Sequence, residues 1–130
     1  MGDSLNATFE VASWDETTVD EGADLGKITR ASVTRRYQGG VNGESVTEWL
    51  MAYRLDGTAT FVGIERVRGS VGGRDGTLVL QHVGEYTDGV ARAALTVLPD
   101  SGTGALAGVT GEGRFTADPK GSVTLDLGFA

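Results

Sequence analysis

Glu65 is the residue least at home in its surroundings. It lies in Phe61-Val62-Gly63-Ile64-Glu65-Arg66, a run that otherwise reads as a β-strand, and charged residues are depleted in strand interiors. The chain holds one histidine, His82, in the next strand-like run. Burial in apolar surroundings raises a carboxyl pKa, and an imidazole beside it can share its proton. Together they would form an acid/base pair working near neutral pH. The plainer alternative is a structural bond from Glu65 to an arginine or a backbone group. The phenols of Tyr37, Tyr53 and Tyr86 could donate to a ligand oxygen, or serve as amphipathic plugs with the hydroxyl in water.

Other chemistries lack their residues. There is no cysteine and only one histidine, which excludes thiolate zinc sites and the usual His-rich metal sites. No Gly-x-Ser-x-Gly elbow occurs. Gly102 to Gly108 (GTGALAG) has neither the Lys-Ser/Thr of a phosphate loop nor a helix after it, and is expected to be a hairpin turn. No metal and no cofactor are expected.

The elements that must position Glu65 and His82 are strands. Eight blocks (Ala7–Trp14, Lys27–Gln38, Glu44–Leu55, Thr58–Val71, Thr77–Thr87, Val90–Pro99, Glu112–Ala117 and Ser122–Phe129) are each closed by Gly, Asn or Asp. Asp56-Gly57 and Asp88-Gly89 are hairpin signals, because glycine accepts the positive φ of a type I′ turn. No window carries a helical apolar stripe. The expectation is all-β: a single eight-stranded antiparallel up-and-down barrel over residues 1–130, with Ala7–Phe129 as its core. The acidic segment Asp15–Gly26 reads as a solvated loop, a lip over an opening.

Alternation then assigns faces. On the third block Ser45, Thr47, Trp49, Met51 and Tyr53 share the drier parity. On the fourth, Ala59, Phe61, Gly63, Glu65 and Val67 oppose a set marked as outer by Arg66 and Arg68. On the fifth, Leu78, Leu80, His82, Gly84 and Tyr86 go together, which turns Gln81 outward. Glu65 and His82 are therefore expected to face one interior. Trp49, Met51, Tyr53, Phe61 and Tyr86 would wall a ligand site if the barrel is hollow, and would be core if it is not. Glu112 is a further candidate for the inner face.

The net charge is −7, with 39% hydrophobic and 22% charged residues. An ordinary core follows, and the acidity argues against nucleic acid as a partner. Glycine is abundant at 21 residues against 2 prolines, as suits tight turns. The first residues show no signal-peptide pattern and no run approaches membrane-spanning length, so a cytoplasmic protein without a membrane partner is expected.

Gly63-Ile64-Glu65-Arg66-Val67, Gly72-Gly73-Arg74, Gly76, Leu80-Gln81-His82 and the stretch Pro99 to Gly113 together resemble the bacterial family of unknown function DUF3224. The resemblance runs from about Ala7 to Phe129. It implies a barrel of the allene oxide cyclase type, a group that includes plant allene oxide cyclases and dirigent proteins and shares a Gly-Thr-Gly turn like Gly102 to Gly104. One departure is Asp100, where the family pattern has glycine. By analogy the resemblance implies a small isomerase or cyclase that holds an apolar molecule inside the barrel, with Glu65 and His82 as acid/base groups, and a homo-oligomer. The alternatives are a non-catalytic binder of a small hydrophobic ligand and a packed structural barrel.

Overall fold

The computed structural model describes residues 2–118 and 120–129. Eight antiparallel strands follow one another around a closed barrel. They are β1 (Gly2–Gly22), β2 (Gly26–Gly39), β3 (Val41–Tyr53), β4 (Ala59–Val71), β5 (Arg74–Thr87), β6 (Val90–Val97), β7 (Thr110–Asp118) and β8 (Lys120–Gly128). β1 closes the ring by pairing with β8 over Gly2–Phe9.

The turns follow from their residues. Gly72-Gly73 joins β4 to β5 and Asp88-Gly89 joins β5 to β6, each with two successive positive φ values, as a type I′ hairpin requires. Asp56-Gly57 differs: only Gly57 has positive φ. Gly57 N–H donates to the Arg54 carbonyl, and Asp56 accepts from Thr58 N–H.

Two expectations are corrected. Asp15–Gly26 is not a loop: β1 runs unbroken to Gly22 and β2 begins at Gly26. Its acidic residues suit a strand wetted on both faces. β1 pairs with β2 from Ala7 to Gly22 but with β8 only as far as Phe9, so residues 10–22 have one strand edge unpaired among the described residues. Acidic side chains and the register shifts at 11/13 and 18/20 are the features that keep such an edge from pairing with other chains. The second correction concerns Gly102 to Gly108. This segment belongs to a longer connection, with a short 3-10 helix at Gly104–Leu106, rather than a tight hairpin turn. Thr103 N–H donates to the Thr77 carbonyl, and Ser101 Oγ accepts from Val79 N–H. Leu106 and Val109 are thereby buried against the barrel.

Burial alternates along β2 to β6, except that Val79 is buried between Leu78 and Leu80, where the Ser101 connection covers it. From Thr29 the register passes through Met51, Phe61, Gly84, Ala93, Phe115, Val123 and Ala7 and returns to β2 at Gly39. This stagger of ten residues makes a barrel wide enough to need large side chains to fill it. Trp49, Phe61, Phe115, Phe9 and Tyr37 fill it. Inward glycines make the room: a Cβ on Gly63 would overlap the Trp49 ring, and one on Gly84 would overlap Phe61.

Candidate functional site

The parity expectation for β3, β4 and β5 holds in the structure. Glu65 and His82 both face inward and both have 0% exposure. Gly63 sits between Trp49 and His82 in the register, and Glu65 lies beside Thr47 and Leu80. One row apart on neighbouring strands, the two side chains meet with His82 Nε2 2.8 Å from Glu65 Oε1.

The hydrogen bonds fix the protons. Trp49 Nε1 lies 3.1 Å from His82 Nδ1. An indole nitrogen only donates, so Nδ1 is the acceptor and the imidazole is the neutral Nε2–H tautomer. His82 therefore donates to Glu65 Oε1, and the carboxylate is ionised. Its other oxygen, Oε2, accepts from Tyr37 Oη at 2.5 Å and Ser45 Oγ at 2.6 Å. Arg35 Nη1 supplies the counter-charge, 3.8 Å from Oε1, and donates to Tyr37 Oη at 3.3 Å.

The electrostatics follow from this arrangement. Burial alone would raise the Glu65 pKa. The His82 hydrogen bond, the Arg35 charge and the Ser45 hydroxyl outweigh it and bring the pKa down to about 2. The Tyr37 phenol is pushed up by burial and by the Glu65 charge. Arg35 is 2% exposed. Its guanidinium carbon lies 4.0 Å from the Phe9 ring centre, 4.5 Å from Phe115 and 5.0 Å from Trp49, so aromatic faces replace the water it lost. Arg35 Nε and Thr47 Oγ1 make no hydrogen bond among the described residues.

The interior around this network is occupied. Trp49 to Phe61 is 5.4 Å between ring centres, His82 to Phe115 is 5.4 Å and Phe61 to Phe115 is 6.3 Å. Trp49, Met51 and Phe61, expected as walls of a ligand site if the barrel is hollow, are buried core residues. Tyr53 and Tyr86 share the inward parity but lie at the end of the barrel, where Tyr86 is 38% exposed. Glu112, a candidate for the inner face, is exposed and pairs with outward-facing Thr96.

A second carboxylate, Glu16, stands at that open end. After the bulge near Ala12, Trp14 and Glu16 pair with Val33 and Ala31 and turn toward the inside. Glu16 Oε1 accepts from Trp14 Nε1 at 3.0 Å. Its Oε2 accepts from Thr29 Oγ1 at 2.6 Å and Tyr53 Oη at 2.9 Å. Burial opposes ionisation here, but these bonds and the Lys27 charge hold the pKa below its usual value. Tyr53 is pushed up to about 12 by burial and by its bond to Glu16. Trp14 packs at a tilt against Trp49, 5.4 Å between ring centres, yet stays 46% exposed. Beside Glu16 a cleft of about 670 Å³ opens to solvent, lined among others by Glu21, Lys27, Tyr53 and Leu55. Among the described residues no group of three His, Cys, Asp or Glu could hold a metal ion.

Sequence reasoning did not find Arg35 or Ser45 as partners of Glu65, nor Glu16 and Trp14. Alternation on β2 carries a signal for the first: Thr29, Ala31, Val33, Arg35 and Tyr37 share one parity and are all buried. Glu16 had no such signal, because the bulge reverses the parity of β1.

A family model described as "Protein of unknown function (DUF3224)" matches residues 5–129. Among solved structures, the chain is similar to a protein of unknown function from the DUF3224 family of Shewanella oneidensis MR-1. The two are 27% identical over 100% of this chain and 99% of that one, with a TM-score of 0.80. A comparison with curated proteins finds no match. Among the described residues no helix is long and apolar enough to cross a membrane.

Proposed function

The chain belongs to the DUF3224 family, proteins of unknown function, and we propose that this member is a non-catalytic barrel that binds a small amphipathic amine at its open end. The observation that carries this reading is the contrast between the two carboxylates. Glu65 is sealed, with its oxygens occupied by His82, Tyr37 and Ser45. Glu16 is equally well oriented, by donors from three strands, but borders an open cleft.

The chemistry of the cleft sets the ligand class. A charged carboxylate fixed by three donors presents a preorganised acceptor for an ammonium group. Glu16 and Glu21 on the wall, with Asp20 and Asp24 on the same hairpin, outnumber Lys27 and Arg54 of that wall, and the net charge of −7 adds to the pull on cations. The Tyr53 ring already holds the Lys27 ammonium 5.0 Å from its centre, a geometry that a ligand ammonium can adopt in its place. The exposed Leu55 on the cleft wall receives an apolar body, and Trp14 reports on the site through its bond to Glu16. An isomerase or cyclase acting through Glu65 and His82 needs a substrate to displace the Trp49, Phe61 and Phe115 cluster before any proton moves. We place the binder in the cytoplasm, since a chain without cysteine suits a reducing compartment.

The test is titration with phenethylamine and, as a control with the same body and no charge, 2-phenylethanol, followed by calorimetry and tryptophan emission. The amine is expected to bind saturably, to change Trp14 emission and to be recovered unchanged, and Glu16→Gln to weaken it about tenfold or more. Equal binding of the alcohol, or an unaffected Glu16→Gln variant, would overturn the reading.

A further inference from the structure

The mouth of the barrel carries a row of side chains that crosses its first strands. Glu21 pairs with Lys27, and Lys27 pairs with Tyr53. All three border the cleft beside Glu16. Two cations stand on the wall of that cleft, and they are engaged differently. Arg54 is committed to its own turn, with Nη1 donating to Thr58 Oγ1 at 3.0 Å and Nη2 to Thr60 Oγ1 at 2.6 Å. The Lys27 ammonium has no ion-pair partner among the described residues. It stands instead over the Tyr53 ring, 5.0 Å from the centre, and its charge helps to hold Glu16 ionised.

Glu16 keeps one acceptor position in reserve. A carboxylate offers about four such positions, two on each oxygen. Thr29 and Tyr53 take both on Oε2, and Trp14 takes one on Oε1. Lys27 therefore fills the aromatic half of a cation site and leaves the carboxylate half unfilled.

We propose that Lys27 is a tethered occupant of this site, and that a ligand ammonium binds by displacing it from Tyr53. The inference rests on the amine-binding reading above and adds what holds the site before the ligand arrives. The exchange puts one cation in the place of another over the ring. The ligand gains a charge-assisted hydrogen bond to Glu16 Oε1 that Lys27 does not make. Lys27 is exposed, and its ammonium moves into water, where it is strongly hydrated. An uncharged ligand of the same shape cannot make this exchange, so Lys27 also sharpens the choice of amine over alcohol.

The chain has two lysines, Lys27 and Lys120, so lysine labelled with carbon-13 gives two side-chain signals. In the free protein the Lys27 signal is expected upfield of the Lys120 signal, shifted by the Tyr53 ring. Titration with phenethylamine is expected to move it back toward the Lys120 position, with the same midpoint as the change at Trp14. Lys27→Met is expected to bind the amine about tenfold tighter, the scale of one cation–π contact. Arg54→Met removes a charge from the same wall but no occupant, and is expected to tighten binding by less than about threefold, as a screened charge would. Binding that depends on Glu16 but leaves the Lys27 signal unmoved would overturn the inference and leave the amine site standing. So would an Arg54→Met variant that tightens as much as Lys27→Met. No binding of phenethylamine by either the wild type or Lys27→Met would overturn both.

Discussion

Glu65→Gln separates the structural role of the buried carboxylate from any catalytic one. The side chain keeps its shape. Its carbonyl oxygen can still accept from His82 Nε2, and its amide can face Tyr37 and Ser45, whose hydroxyls rotate to accept. What disappears is the charge opposite Arg35, which is 2% exposed and has no other carboxylate among the described residues within ion-pair distance. Removing one partner of a buried pair costs about 3–5 kcal/mol. With a urea slope of about 1.5 kcal/mol/M for a chain of this size, the midpoint should fall by roughly 2–3 M. Urea titration followed by Trp49 emission reads this directly. Arg35→Met combined with Glu65→Gln removes the stranded cation and should recover most of the loss. If Glu65→Gln shifts the midpoint by less than about 0.5 M, or the double variant is no more stable than the single, the ion pair is not what holds the centre.

Acid should act through the same group. The Glu65 pKa is lowered from 4.5 to about 2, so its contribution is complete above about pH 5 and disappears as pH falls through 4.5 toward 2. The loss is on the order of 3 kcal/mol, and Glu65→Gln should flatten that part of the stability–pH curve. Gly63→Ala introduces a Cβ that overlaps the Trp49 ring. It should cost roughly 1–3 kcal/mol by overpacking and alter Trp49 emission, whereas an unchanged midpoint would mean that the ring does not pack there. Trp49→Phe removes the donor to His82 Nδ1 and leaves a buried acceptor unpaired. A loss of about 2–4 kcal/mol, part cavity and part hydrogen bond, should appear in urea titration followed by circular dichroism.

Much of the barrel can be read from alternation and turn residues. Thr47, Trp49, Met51 and Phe61 announce an inner face, and Asp88-Gly89 announces a hairpin, because period two and positive φ are local properties of the chain. The meeting of Glu65 and His82 follows from the same parity. Arg35 is harder to see. It stands next to Arg36, and two adjacent arginines look like a solvated pair, yet neighbours on a strand face opposite sides and only Arg36 is exposed. β1 is harder still. Its acidic second half has the composition of a loop, and the bulge that turns Glu16 toward the opening interrupts the alternation. Parity also gives direction without volume. That Trp49 points inward does not say whether the space before it is open, and that depends on Phe61, Phe115 and Arg35 arriving from other strands.

The central claim is that a ligand meets the open end of the barrel and not its sealed centre. The two indole N–H groups of the chain report on exactly one place each: Trp14 beside Glu16 and Trp49 beside His82. Their nuclear magnetic resonances, followed during titration with phenethylamine, test the claim most directly. The account predicts that the Trp14 resonance moves and saturates, while the Trp49 resonance stays in place and remains protected from hydrogen exchange. A Trp49 resonance that shifts while Trp14 stays still would contradict it and put the ligand inside the barrel, next to Glu65.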